Sequence, residues 1–470
     1  MHFGLRGNAF TLFDPYVALF MVRQWCLNPL RIQRRANASG APISIAMLSP
    51  PRPANQIRNS SRMKTAYMDP CGLRISVVTL FILAMAIAPA MAQKKYDPGA
   101  TDTEIKIGNI ASYTGQFSEY GAEPRAQAAY FRMINDRGGI NGRKIVFVSV
   151  DDGSDFSKGR WLAQQLVEQE GVLLLFSTFG NPSNLAIRTY ANEKQVPQLF
   201  VQSSSSAFDD PAHFPWTMGF FATFRTEALA YAKYILQTQP DAKIGVLYAS
   251  DETGNEYLAG LREGLGERAS SMIVKVAVFK YADPMTVDKQ VEALKDSGAN
   301  VFINVAIGRS ATQAIRKAFD IGWHPTQFIP NATLSVAAFL DPAGLEKATG
   351  IISNARSKSG TAAQARSDPA VGAYLEWMRR YNPDASLRDQ INVAGYERAQ
   401  VLVEVLKRCE DDLTRANVMR QAASLDLEIG MLQPGIRVTT SPTDYQPIKQ
   451  LFLIRFNGKE WLPLGALAAR

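Results

Sequence analysis

EIKIGNIASYTGQFSEYGAEPRAQAAYFRMINDRGGINGRKIVFVSVDDG, residues 104–153, carries two strand patterns around one helix pattern. Its first nine residues alternate apolar and polar side chains, the period of a strand. In the segment that follows, Ala126, Tyr130, Met133, Ile134 and Arg137 recur at helical spacing and make one apolar stripe with a polar end. Gly138 and Gly139 stop that helix, and Asn141-Gly142 turn the chain into KIVFVSVDDG.

Outward from this unit the cycle repeats. SKGRWLAQQLVEQE reads as a helix and VLLLFS as a buried strand; a further helix opens at Pro182, and PQLFVQS closes the series. After HFPWTMGFFATF a second series begins. Its strands KIGVLYAS, MIVKVAVF and NVFINVA lie between the helices EALAYAKYILQ, EYLAGLREGLGER, TVDKQVEALKDSG and SATQAIRKAFDIG. Continuous apolar strands separated by amphipathic helices predict α/β lobes, each a doubly wound parallel sheet covered on both faces. The tail is less regular, with helices near 370–382, 391–408 and 414–424 and a β-like ending, KQLFLIRFNGKEWLPL.

RISVVTLFILAMAIAPAMAQ, from Arg74 to Gln93, reads as an export signal. Arg74 gives a positive flank, Ile75 to Ile87 is uncharged and apolar, and Ala90-Met91-Ala92 offers small residues to a peptidase. A membrane-spanning helix needs about 20 apolar residues. This core is shorter, so cleavage between Ala92 and Gln93 is expected rather than anchoring. Residues 1–62 have no sustained period and few acids. They are expected to be a start site placed too far upstream or an unstructured leader. Met63 is then the expected start, with Met68 second, and residues 63–92 are the signal peptide.

Charge follows the same division. Ten of the 51 Lys and Arg and two of the 43 Asp and Glu fall in residues 1–92, leaving 41 of each sign. The exported part is formally neutral, which removes the nucleic-acid reading that a basic chain would invite. Of three cysteines only Cys409 remains, so no internal disulfide is expected despite an oxidising compartment. A mature chain of roughly 375 residues is long for one core, so two lobes are expected.

In collinear order, the quoted opening unit, VPQLFV, FPWTMGF, AKIGVLYASDETGNEYLAGL, KAFDIGW, GLEKATGIIS, CEDDLTRANVMRQAA and PGIRVTTSPTDYQPIKQLFLIRF resemble the branched-chain amino-acid-type periplasmic binding proteins. These are the extracytoplasmic receptors of ABC importers. The likeness runs from about Thr103 onward. It implies two Rossmann-like lobes joined by three crossing segments, the type I periplasmic binding fold. Lobe 1 would take 100–222 and 354–433, lobe 2 would take 223–353 and 434–466, and the crossings would fall near Thr223, Ser353 and Pro434. It further implies a periplasmic receptor that binds a small molecule without a cofactor and hands it to permease subunits in the inner membrane.

The resemblance places ligand contacts in the loops after the strands. In STFGNPSNLA, Gly180 and Asn181 occupy the positions that meet a ligand carboxylate and amine; in VQSSSS, Gln202, Ser203 and Ser204 stand where the family supplies small polar contacts; Tyr120 stands where the family has an aromatic wall. Taken alone, the serines read as a solvated turn and Tyr120 as packing. The second lobe departs from the amino-acid pattern. Phe224 and Thr253 replace an acid and a tyrosine, and Asn331-Ala332 stand where another acid is expected. An ammonium then lacks its counter-charge, which is costly once buried. The altered cleft suits a carboxylate with an aromatic or aliphatic body, lined by Phe220, Phe221 and Phe224, with Arg309 to pair the carboxylate.

Two other classes are weighed against this one. A ligand-sensing receptor subunit would share the fold. An exported enzyme finds no support in a G-x-S-x-G elbow, an H-E-x-x-H motif, a phosphate loop or clustered Cys and His. His213 and His324 sit in Pro-flanked loops, and Asp151-Asp152 read as a solvated turn.

Overall fold

The computed structural model describes residues 94–281 and 286–465. The leader, the signal segment and its Ala92–Gln93 cleavage site lie outside these residues. Among the described residues no helix is long and apolar enough to cross a membrane.

The opening unit folds as its periods dictate. Strand Glu104–Ala111 pairs in parallel with Lys144–Asp151, in unbroken register from Glu104 opposite Lys144 to Ala111 opposite Asp151. Helix Ala122–Asp136 crosses between them and buries Ala126, Tyr130, Met133 and Ile134. The chain leaves the helix through Gly139 at φ +78°, where a Cβ would stand 2.1 Å from the Arg143 carbonyl oxygen. Only glycine turns there without moving the next strand. Strands Leu174–Phe176 and Gln198–Leu199 extend the sheet, which runs Lys144–Asp151, Glu104–Ala111, Leu174–Phe176, Gln198–Leu199, all parallel.

Period-two alternation then covers both faces. In strand Ile244–Ala249 of the second sheet, Ile244 and Val246 join the core built with helices Phe224–Thr238 and Glu252–Leu265. Leu247 and Ala249 face the other way, against helices Asp288–Asp296 and Arg309–Asp320. Five parallel strands of this sheet are Ile273–Phe279, Ile244–Ala249, Val301–Asn304, Thr326–Phe328 and Ile352–Ala355. The β-like ending adds an antiparallel hairpin, Phe452–Phe456 with Trp461–Gly465, along Ile352–Ala355. This second sheet is therefore mixed at one edge.

Three passages join the lobes. Phe221 packs on the first core and Ala222 in the second; strand Ile352–Ala355 leads back to the first; Ile448 lies in the first core and Leu451 in the second. The third passage thus runs through 449–450, not near Pro434 as expected. Ile436, Val438, Tyr445 and Ile448 return to the first core because strand Val438–Thr439 pairs with Asp426–Leu427 of that lobe. Cys409 is buried and free, and burial pushes its thiol up to about 12.

Candidate functional site

A cavity of about 160 Å3 lies between the lobes at the carboxyl ends of the strands. From lobe 1, the turn Ser118–Gly121 brings Tyr120 to the wall, and the loop after Leu174–Phe176 brings Gly180 and Asn181. The loop after Gln198–Leu199 brings Gln202, Ser203 and Ser204. From lobe 2 come Phe224 and Thr253, each in the first turn of its helix, and Asn331 with Ala332. These ten residues, all singled out in the sequence, surround one space, together with Phe221 from the first crossing.

Two selected residues lie elsewhere. Arg309 begins its helix with a side chain 67% exposed, paired to Glu119 at 3.2 Å, and does not line the cavity. An exposed guanidinium paired with a half-buried carboxylate at the rim keeps its hydration, so nothing pulls it inward. Phe220 is buried instead against Phe200 and Phe221.

Gly180 takes φ +87°, and a Cβ there would meet the Phe156 ring at 2.5 Å. Glycine therefore lets this loop approach the aromatic wall. It also opens helix Asn181–Glu193 without any side-chain cap, whereas Thr223 and Asp251 cap the two lobe 2 helices at the cavity. The uncapped end leaves N–H groups and the positive end of a helix dipole for an acceptor. Ser203 Oγ donates to Asn181 Oδ1 at 3.2 Å, holding that side chain.

One flank of the cavity is aromatic. Phe117 stacks on Phe156 at 5.3 Å and meets Tyr281 edge-on at 5.2 Å, while Tyr120 stacks on Phe179 at 5.0 Å and tilts against Phe339 at 5.5 Å. Tyr281 and Phe339 belong to lobe 2, so this cluster is a seam between lobes. The Tyr120 hydroxyl donates to Ala332 O at 3.1 Å and accepts from Gly308 N at 3.3 Å, both across the seam. Burial pushes this phenol well up.

Beside the crossings lies a cluster of charges that sequence reasoning missed. Arg398 pairs with Glu123 at 2.7 Å, both fully buried. Arg356 follows the second crossing strand, lines the cavity and stands 3.8 Å from Glu397. Glu227 accepts from Asn331 N at 3.2 Å. Burial raises the Glu227 and Glu397 carboxyls to about 7 and lowers Arg398 to about 10. Carboxylates therefore do reach the site, but Glu123 is held by Arg398 and Asp251 caps its own helix through Gly254 N at 2.9 Å. The available signal was the pair Glu397-Arg398 within the apolar helix INVAGYERAQVLVEVL, and Arg356 directly after a strand.

The remaining titratable motifs stand apart. Asp151 Oδ1 accepts from Gly153 N within its own turn and from Tyr113 N in the loop after the neighbouring strand. His213 lies beside Asp210 and His324 against Phe319. Among the described residues, no group of three or more His, Cys, Asp or Glu is placed to hold a metal.

Comparison with known proteins agrees with this architecture. The family described as periplasmic binding protein matches residues 104–460. A Leu/Ile/Val-binding protein homolog 7 of Brucella suis is 21% identical over 373 residues, covering 75% of this chain and 88% of that one. Homolog 1 of the same organism is 24% identical over 233 residues; the match takes 48% of this chain and spans only 60% of that relative. Among solved structures, a branched-chain amino-acid ABC transporter protein of Thermus thermophilus with bound valine superimposes with a TM-score of 0.70 at 15% identity, over 79% of this chain and 98% of that one. A solute-binding protein of R. palustris in complex with benzoate gives 0.66 at 18% identity, over 78% and 97%. Two lobes, three crossings, a cavity between them and a family match over most of the chain lead to one conclusion: the protein belongs to the periplasmic binding protein family.

Proposed function

We propose that this chain is the extracytoplasmic receptor of an ABC importer, and that it carries a small carboxylate with an aromatic or aliphatic body. The observation that carries the reading is the cavity itself, walled by both lobes, with an aromatic flank and an uncapped helix end. A site of this kind takes up a solute by closing: the lobes exclude water and strengthen the few polar contacts inside. Closing also presents one joined surface to the permease subunits.

Size and charge narrow the ligand. A cavity of about 150 Å3 accommodates benzene, and this one holds about 160 Å3. That favours one ring or a short branched chain. The helix Asn181–Glu193 offers its amino end to a carboxylate, with Gln202, Ser203 and Ser204 beside it. Phe224 and Thr253 supply no charge for an ammonium. The related proteins with bound valine and with benzoate show that this fold admits both kinds of body. Export follows from the Arg74–Gln93 segment, with cleavage after Ala92; amino-terminal sequencing of periplasmic protein reads the cut directly.

A thermal-shift screen tests the ligand. The panel holds leucine, valine, phenylalanine, benzoate, cinnamate, short aliphatic acids and the matching amides. At a hundred times its dissociation constant a true ligand stabilises the fold by about 2.7 kcal/mol. Acids are expected to shift the melt while leucine does not. A shift by leucine or valine alone would overturn the carboxylate reading and assign Glu123 or Asp251 to an ammonium.

A further inference from the structure

Two guanidinium groups share one aromatic ring beside the crossings. Their central carbons stand 4.0 Å (Arg356) and 4.3 Å (Arg398) from the centre of Phe221. Their partners differ. Arg398 pairs through Nη1 with Glu123 at 2.7 Å and Ser177 Oγ at 2.5 Å; its Nε and Nη2 are also buried without partners, but it does not line the cavity. Arg356 does line it, and its side chain is only 9% exposed.

Arg356 is short of acceptors. Nη1 donates to Asn331 Oδ1 at 2.7 Å, but Nε is buried without a partner. The approach to Glu397 Oε2, 3.8 Å from Nε, is too long for a hydrogen bond. Glu397 is equally half-engaged: Oε2 accepts from Ser357 Oγ at 2.9 Å, and Oε1 has no partner. A planar cation in a cavity wall, held by a hydrogen bond of Nη1 to Asn331, matches the planar two-oxygen face of a carboxylate.

We propose that Arg356, together with the amino end of helix Asn181–Glu193, receives the carboxylate of the ligand, and that Glu397 is the counter-ion Arg356 exchanges for that carboxylate. The assignment rests on the reading of the ligand as a small acid, and it gives Arg356 the part that the sequence suggested for Arg309.

The charges around Arg356 fix the sign of a proton linkage. Helix Gln390–Cys409 presents Glu397 and Arg398, helix Ala122–Asp136 presents Glu123, and helix Phe224–Thr238 presents Glu227. On its own segment, Lys358 is tied to Asp368 at 2.6 Å and to Gly430 O at 2.7 Å. Burial holds the Glu397 carboxyl near 7, against the pull of Arg356. An arriving carboxylate takes over Arg356 and adds a negative charge nearby, so Glu397 binds its proton more tightly. Binding then takes up a proton above pH 7, and affinity falls as pH rises, by up to about tenfold per pH unit. Below about pH 6 Glu397 is protonated in both states and contributes no slope.

The test is calorimetric titration of the purified protein with benzoate and 4-methylpentanoate, with benzamide as the uncharged counterpart, between pH 6 and 8. Wild type is expected to bind an acid probe with affinity falling above pH 7, and to take up a proton when buffers of different ionisation enthalpy are compared. Arg356→Gln is expected to lose acid binding about a hundredfold while benzamide changes far less. Glu397→Gln is expected to bind the acid as tightly at pH 8 as at pH 6. Should Arg356→Gln fail to fold, Arg356→Lys and the wild-type pH slope still decide. If wild type binds acids and Arg356→Gln or Arg356→Lys binds them equally, the inference falls and the ligand reading stands. If Glu227→Gln flattens the slope and Glu397→Gln does not, the exchange with Glu397 is wrong. If wild type takes leucine and no acid, both readings fall.

Discussion

The cavity has two contrasting boundaries. The seam of Phe117, Tyr120, Tyr281 and Phe339 joins the lobes through ring contacts and two hydrogen bonds of one phenol. The cluster of Arg356, Arg398, Glu123 and Glu397 lies beside the crossings and is built from buried charge. Ring contacts are individually weak and tolerate sliding, which suits surfaces that meet and part. Buried ion pairs demand geometry, and losing one partner strands the other. Under the proposed function, the seam would serve closure and the charged cluster recognition.

The sharpest way to break this contrast is Arg398→Ala. It leaves Glu123 buried without its cation, at a cost of about 3–5 kcal/mol, read as a fall in the urea midpoint. A loss below about 1 kcal/mol would mean that the cluster is hydrated and not a rigid platform.

Next comes pH. Glu227 and Glu397 are raised to about 7 by burial, whereas an unfolded glutamate titrates near 4.3. Between about pH 4.5 and 7 the native state holds protons that the unfolded chain releases, so stability falls as pH rises through that window. Glu227→Gln is expected to remove its share of this slope, up to about 3 kcal/mol. Denaturation at pH 5 and pH 7.5 measures it, and an unchanged slope would place the titration elsewhere.

Tyr120→Phe probes the seam. The ring remains and the two hydroxyl contacts across the lobes go, at about 0.5–1.5 kcal/mol where the lobes meet as in this structure. Affinity for an acid probe should fall by up to about tenfold while the urea midpoint of the empty protein barely moves. A large loss of stability instead would make the seam structural. The smallest effect is expected for Arg309→Ala, whose partly exposed pair with Glu119 contributes about 0–1 kcal/mol. A strong loss of ligand affinity there would restore Arg309 to the site.

The parts of the molecule differ in how much the sequence reveals. Residues 104–153 are transparent, because the side-chain period of each element matches its burial: Ala126, Tyr130, Met133 and Ile134 are the buried stripe. The loops that end strands are also legible, given the resemblance, since Gly180, Asn181 and Gln202 to Ser204 follow their strands directly. The charged cluster was hidden. Glu397 and Arg398 read as the polar side of a helix, and only their neighbours make them interior: the helix Gln390–Cys409 is packed on Ala122–Asp136 and covered by the first crossing. Likewise no local pattern says which core Ile436 and Val438 join, because a short apolar strand fits either lobe.

The sequence by itself determined the alternation of strands and helices, the doubly wound lobes and the positions where loops leave the strands. Those features depend on side-chain period, glycine at special φ angles and the burial of apolar stripes, all of which act within a few residues. Tertiary structure alone decided that Arg356 faces the cavity, that Arg309 does not, and that Tyr120 bonds across to the second lobe. Each depends on the distance between groups more than forty residues apart, where electrostatics and desolvation follow the packing of whole lobes.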